Sequence, residues 1–277
     1  MKIMLVTDVE GVAGVLNFEE YCSPGKPYYE KAKRLLTEET NAVIAGMFDG
    51  GVDEILVVDG HGPGAIDPEL LDSRVELLRG APSPEPWPFT LDSSFDGIGW
   101  VGQHAKSRTP YSHLTHTGNF SVWEITANGI AVGEFGEFAM CAGELGVPVI
   151  FAGGEDAFAR EAEELAPGVV AVGVKRGCNS EEGLDDAPAD VYKKSKLAAI
   201  HLSPEKARRK LYAGAVEAAG RLKRDPKSFT VVKLDPPYEI KSIFRKCEAF
   251  PEGATLYKRH ATSFIAAMNS EYTANEE

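Results

Sequence analysis

Two kinds of segment alternate along the first two thirds of the chain. Short, nearly continuous apolar runs at Ile3 to Val6, Glu54 to Asp59, Gly97 to Val101, Val147 to Phe151 and Val169 to Val174 have the length of buried strands. Between them, apolar residues recur at helical spacing. Ala32, Leu35, Leu36, Ala42, Ala45 and Met47 predict a helix over Tyr28 to Phe48, stopped by Gly50-Gly51. Further helices are predicted over Pro68 to Leu71, Glu134 to Leu145, Ala157 to Leu165 and Pro204 to Leu222, the last capped by Ser203. Val75 to Leu78 reads as a strand and Pro82 to Pro88 as a rigid loop. Asn119 to Ile125 alternates as a strand, and Asn128-Gly129 turns it back into Ile130 to Val132.

The last third changes pattern. Thr230 to Leu234, Glu239 to Arg245 and Thr255 to His260 read as strands, followed by a helical Ala261 to Met268 and a polar tail. Strand–helix alternation predicts an α/β fold, a mostly parallel sheet flanked by helices, with a smaller C-terminal α+β portion. The expected division is a larger α/β unit over residues 1–223 and the smaller portion over 228–277, separated at Arg224 to Lys227.

Composition adds exclusions. A hydrophobic content of 43% with 26% charged residues is that of a globular protein, long enough to bury a core. The net charge of −13 opposes sequence-independent nucleic-acid binding, which needs cations against phosphates. Cys22, Cys141, Cys178 and Cys247 are far apart and form no CxxC pair, so reduced, non-ligand thiols are expected. Only Lys2 precedes the first apolar run, which meets Asp8 too soon for an export signal. No window approaches the ~18 apolar residues of a membrane span. A soluble cytoplasmic protein without a membrane partner is the expectation.

The polar residues that end the strands carry the chemistry. Asp8 and Glu10 lie two apart beyond the first strand, so their carboxylates leave the same side of an extended backbone. His61 follows the second strand, His104 the third, and Glu134 opens a helix after the hairpin. In α/β sheets, sites form beyond the carboxyl ends of the strands. Each residue alone has a plain alternative: a solvated strand end, a surface loop histidine, a helix-dipole partner. Their joint placement at successive strand ends favours a metal site of carboxylate and imidazole ligands. Five ligands exceed the need of one open zinc, yet fit two zinc ions sharing a carboxylate, with Asp8 as the bridge. Such a pair lowers the pKa of a bound water. In SHLTHT, His113 and His116 follow closely enough for one to act as acid, base or anion stabiliser there; His113 reads better as a loop residue. His201 and His260 read as structural. Neither GxGxxG, a P-loop nor a GxSxG elbow is present.

TDVEG, DGHG, GQHA, LTHT and VGEFG, in this order and spacing, resemble the D-aminopeptidase family of zinc peptidases, and the resemblance covers nearly the whole chain. It implies a two-zinc centre held by Asp8, Glu10, His61, His104 and Glu134, with Asp8 bridging and His116 as the catalytic histidine. It also implies a large ring-like homo-oligomer. Phe138 stands where relatives are expected to carry Asn, beside the acidic Glu137, which bears on pocket shape and substrate. The expected activity is zinc-dependent removal of the N-terminal residue from short peptides, D-residues among the candidates. Two rivals remain: a two-metal hydrolase of a non-peptide amide or phosphoester, and a non-catalytic metal-dependent peptide-binding oligomer.

Overall fold

The computed structural model describes residues 1–274; the end of the polar tail lies outside the described residues. In chain order the elements are β1 (Lys2–Thr7), α1 (Phe18–Tyr21), α2 (Tyr29–Asp49), β2 (Glu54–Asp59), β3 (Glu76–Arg79), β4 (Gly97–Gln103), β5 (Val122–Ala127), β6 (Ile130–Val132) and α3 (Glu134–Glu144). They continue with β7 (Val149–Glu155), α4 (Asp156–Leu165), β8 (Val170–Gly177), α5 (Ala189–Ser195), β9 (Ala199–His201), α6 (Pro204–Arg224), β10 (Tyr238–Phe244), β11 (Ala254–His260) and α7 (Phe264–Asn269).

The main sheet has the order β3-β2-β1-β4-β7-β8-β9, parallel except where β9 runs against β8. The period of two along β1 divides the core. Ile3 and Leu5 face the cluster that buries α2 and α6, whereas Met4 and Val6 face the one containing Phe135, Phe138 and Phe158. The chain moves outward from β1 through β2 to β3, then returns to the other side of β1 as β4. That reversal is the topological switch point, where strand-end loops diverge and leave a crevice.

A second sheet, antiparallel, has the order β11-β10-β5-β6. The C-terminal strands thus pair with the β5–β6 hairpin, and the smaller sheet draws on chain from both sides of residues 224–227. Several local expectations differ from the structure. Thr230 to Leu234 lies outside any strand; Val232 is buried against α3, its carbonyl oxygen 1.6 Å from where a Cβ on Gly143 would stand. Pro68 to Leu71 contains turns rather than a helix. The last helix starts at Phe264 because Ser263 caps it, its side chain accepting the Ala266 N–H. All four cysteines are free. No helix among the described residues is long and apolar enough to cross a membrane.

Candidate metal centre

The crevice is built by close backbone approach. Gly11 donates its N–H to the Gly102 carbonyl at 2.6 Å, and a Cβ on Gly11 would lie 2.0 Å from the Gln103 oxygen. Gly102 has φ +76°, and a Cβ there would lie 2.1 Å from the Asp8 oxygen. The loops after β1 and β4 are therefore pressed together, which brings Asp8 and Glu10 to His104. His61 enters from the loop after β2. The Asp59 carboxylate accepts the Ala65 N–H at 2.9 Å and the Ile66 N–H at 3.3 Å, tying that loop back to its own strand. Glu134, at the first turn of α3, accepts from the Gly118 N–H at 2.7 Å and from Gln103 Nε2 at 2.9 Å. The structure brings together all six residues singled out in the sequence: Asp8, Glu10, His61, His104, Glu134 and His116 line one cavity.

The hydrogen bonds of the three histidines fix which nitrogen faces inward. His61 Nε2 lies 2.8 Å from the Cys22 carbonyl, His104 Nδ1 2.9 Å from the Ala105 carbonyl and His116 Nδ1 2.8 Å from the Leu114 carbonyl. A carbonyl oxygen only accepts, so each of these nitrogens carries the hydrogen. The other nitrogen of a neutral ring then presents a lone pair. His61 Nδ1 faces Asp8 Oδ1 at 3.1 Å and Glu10 Oε2 at 3.2 Å; His104 Nε2 faces Asp8 Oδ2 at 3.3 Å and Glu134 Oε2 at 3.6 Å. Lone pairs opposed at these distances repel unless a cation or proton lies between them. Asp8 Oδ2, Glu10 Oε2 and His104 Nε2 are buried without a hydrogen-bond partner among the described residues. A backbone carbonyl holding the outer nitrogen while the inner one is free is the arrangement of metal-ligating histidines.

Asp8 sits at the centre of this geometry, because its two oxygens face different imidazoles. One ligand atom each from Asp8, Glu10 and His104 lies within 4.8 Å of the others, and so does one each from His104, His116 and Glu134. The residues present fit one or more divalent cations. Protons alone divide the charge unevenly. Burial and then the Glu10 charge push Asp8 well above the ordinary carboxylate range. Glu10 lies well below it, the His61 charge overcoming burial. His61 is pushed up to about 12, again against burial, by Glu10 and Asp8. His116 is lowered by burial and by His104, on which it stacks with centroids 4.1 Å apart.

His113 does not join the cavity. It is buried behind the loop, with Nε2 3.2 Å from the Leu16 carbonyl and its ring edge-on to His201 at 5.3 Å. His201 accepts the Gly14 N–H through Nδ1 at 3.2 Å. Both belong to the support beneath the Asp8–Val15 loop. That support also contains Lys175, a fully buried cation whose Nζ donates to the Glu10 carbonyl and, at 3.4 Å, to the Val15 carbonyl.

The sequence model of the D-aminopeptidase family matches residues 1–258. The chain belongs to the D-aminopeptidase family. A D-aminopeptidase of Bacillus subtilis (strain 168) is 36% identical over 177 residues, and the aligned segment spans 64% of this chain and 64% of that relative's length. The solved structure of the Zn-dependent D-aminopeptidase DppA from Bacillus subtilis, described as a self-compartmentalizing protease, superposes with a TM-score of 0.80 at 28% identity. It covers 96% of this chain, and this chain covers 94% of it. The α/β architecture is thus that of a D-aminopeptidase, and members of this family are peptidases. One part of the cavity had no signal in the sequence. Phe18, Trp87, Phe89, Trp100 and Phe120 line it beside the polar cluster, but each is an ordinary core or loop aromatic until the fold places it.

Proposed function

We propose that this chain is a zinc-dependent aminopeptidase that removes the N-terminal residue, a D-residue included, from short peptides, using two zinc ions in the crevice. The observation that carries the reading is the splayed Asp8 carboxylate, one oxygen facing His61 and the other His104. Asp8, Glu10 and His61 would hold one ion, and Asp8, His104 and Glu134 the other. Bound zinc supplies Lewis acidity, which yields a nucleophile from water near neutral pH and polarises a carbonyl oxygen.

The protein's own groups supply the rest. His116 Nδ1 is committed to the Leu114 carbonyl, so Nε2 is the atom that takes a proton or donates to the oxyanion of the attacked carbonyl. Stacking on His104 fixes the direction of that atom. Gly118 and Gln103 hold Glu134 in one orientation, so the site is organised before substrate arrives. The relative's description as self-compartmentalizing supports a ring-like homo-oligomer for this chain too. Four free thiols suit a reducing cytoplasm.

Elemental analysis of the purified chain is expected to find two zinc ions per chain. Chelation and the His104→Ala and Glu134→Ala variants are each expected to remove zinc and lower turnover on the order of a thousandfold or more. A panel of D- and L-amino-acid p-nitroanilides, short peptides and phosphoesters reads the substrate class. Full peptidase activity in a verified zinc-free variant, or turnover of phosphoesters alone, would reject the reading.

A further inference from the structure

The polar cluster supplies six of the nineteen residues lining a cavity of about 440 Å³. Five of its other thirteen lining residues are aromatic, and Thr7, Gln103 and Asn119 add neutral polar groups. In one aromatic group Phe18 and Phe120 pack edge to face at 5.4 Å, and the His116 ring lies against Phe120 at 4.6 Å. In the other Trp87 and Phe89, 6.0 Å apart, rest on Phe138, at 6.3 and 5.7 Å, and Phe138 in turn meets Trp100 at 5.9 Å. Every titratable side chain of the lining, Asp8, Glu10, His61, His104, His116 and Glu134, belongs to the cluster already described. A charged substrate side chain entering among the aromatic rings would lose its hydration, and Lys193, whose Nζ stands 4.5 Å from the Phe18 centroid, lies outside the lining, whereas an apolar side chain gains by leaving water.

These walls are fixed from outside the family's motifs. Phe138 is fully buried and stands four residues after Glu134 on α3, so the helix sets the aromatic wall beside that carboxylate. Trp87 is held through its backbone by one side chain of α7. Its N–H donates to Asn269 Oδ1 at 3.1 Å, and Asn269 Nδ2 donates to its carbonyl at 2.9 Å. Asn269 lies beyond the residues that the family model matches. Phe89 is held at φ +61°, a backbone state that bulky residues rarely adopt and that persists only where the surroundings enforce it. Walls set in this way are ordered before a ligand binds, so little binding energy is lost in arranging them.

We infer that this cavity is a specificity subsite for a large apolar or aromatic side chain on a residue flanking the cleaved bond, and that Phe89 and Phe18, one from each aromatic group, set the preference. The inference rests on the peptide-hydrolysis reading above. Peptides bearing Phe, Trp or Leu at one of the two flanking positions are the preferred substrates over those bearing Ala, Asp or Lys.

The test uses the full zinc-loaded chain and dipeptides of whichever handedness it turns over. One series varies the first residue and one the second, through Phe, Leu, Ala, Asp and Lys. The ratio of kcat/KM for Phe over Ala is expected at about 10- to 100-fold at one position. Phe89→Ala and Phe18→Ala are each expected to lower that ratio several-fold. A ratio cancels any loss of folded or metal-loaded enzyme. Equal or reversed ratios at both positions, or ratios unmoved in both variants, overturn the inference while leaving peptide hydrolysis intact. If no peptide is cleaved, it is the aminopeptidase reading that fails. Calorimetric binding of phenylalaninamide and alaninamide then decides the subsite: tenfold tighter binding of the phenyl compound supports it, and equal affinities reject it.

Discussion

Glu39 sits on the buried face of α2, where its Oε1 accepts the Ala13 N–H at 3.0 Å and its Oε2 has no partner among the described residues. Burial pushes its carboxyl up to about 8, against the Ala13 hydrogen bond and the Lys175 charge. At neutral pH the folded chain therefore keeps this group protonated, whereas unfolding returns it to the ordinary carboxylate range. Between those two values the unfolded chain binds fewer protons than the folded one, so stability falls as pH rises through the window from about 4.5 to about 8. Gln at this position preserves the acceptor for Ala13, offers an N–H in place of the acid O–H, and does not titrate. Glu39→Gln is expected to flatten the pH dependence and to be more stable than the parent at pH 8 by ~2 kcal/mol. Urea unfolding of the two metal-free proteins at about pH 5.5, 7 and 8 measures both effects; parallel stability profiles would refute the assignment.

Between elements, the important joint is β8 reaching beneath the loop that follows β1. Lys175 on β8 carries it, since its ammonium is the donor for the Glu10 and Val15 carbonyls. Lys175→Met fits the same space but leaves those carbonyls and the nearby buried Glu155 without their cation. The expected cost is about 3–5 kcal/mol of stability, together with zinc affinity lowered about 10- to 100-fold, because the loop that presents Asp8 and Glu10 loses its underpinning. Competition with a zinc chelator reads the affinity, and unchanged affinity in a folded variant would limit Lys175 to a structural role. This joint also shows where a sequence stops being readable. The strands β1, β2, β4, β7 and β8 and the long helices announce themselves through period and composition. Five of the six polar residues of the crevice are visible because each falls near a strand end or a helix start, and His116 is visible only through the SHLTHT segment and its family resemblance. Lys175 carries no such mark, since nothing local says that β8 will bury Lys175 while leaving the adjacent Arg176 exposed. The strand expected over Thr230 to Leu234 has the right alternation, and Val232 is buried as alternation requires, but strand identity needs a partner and none pairs with it among the described residues. The short α1, α5 and β9 owe their form to tertiary contacts and carry too few residues for a periodic signal. The Trp87 wall depends on Asn269, 182 positions away, a distance no local pattern spans.

At the scale of the molecule, the main sheet ends in β9, which among the described residues pairs with β8 alone and has no strand on its outer edge. On that strand Ile200 is 51% exposed, and in the chain leading into it Leu197 is 38% and Val191 on α5 46% exposed. An open edge flanked by apolar side chains is a surface that proteins ordinarily cover, and a second copy of the chain would cover it. Opposing this is the charge: each copy carries −13, so copies brought together repel one another. Apolar contact is insensitive to modest salt, whereas repulsion between exposed charges fades as the Debye length shortens from roughly 20 Å at about 20 mM salt to less than 10 Å at about 0.3 M. The balance predicts assembly that strengthens with ionic strength, the reverse of a complex held by surface ion pairs. Size-exclusion chromatography with light scattering is expected to give a mass that is a multiple of 29.9 kDa and that persists to lower protein concentration at the higher salt. Ile200→Asp places a charge on the edge strand and is expected to shift the population toward the single chain at every salt concentration, with zinc content unchanged because Ile200 does not line the crevice. A single-chain mass for the parent across the whole range of salt and concentration would remove the assembly from the proposal. An assembly that weakens as salt is added would instead locate the interface among the charged residues.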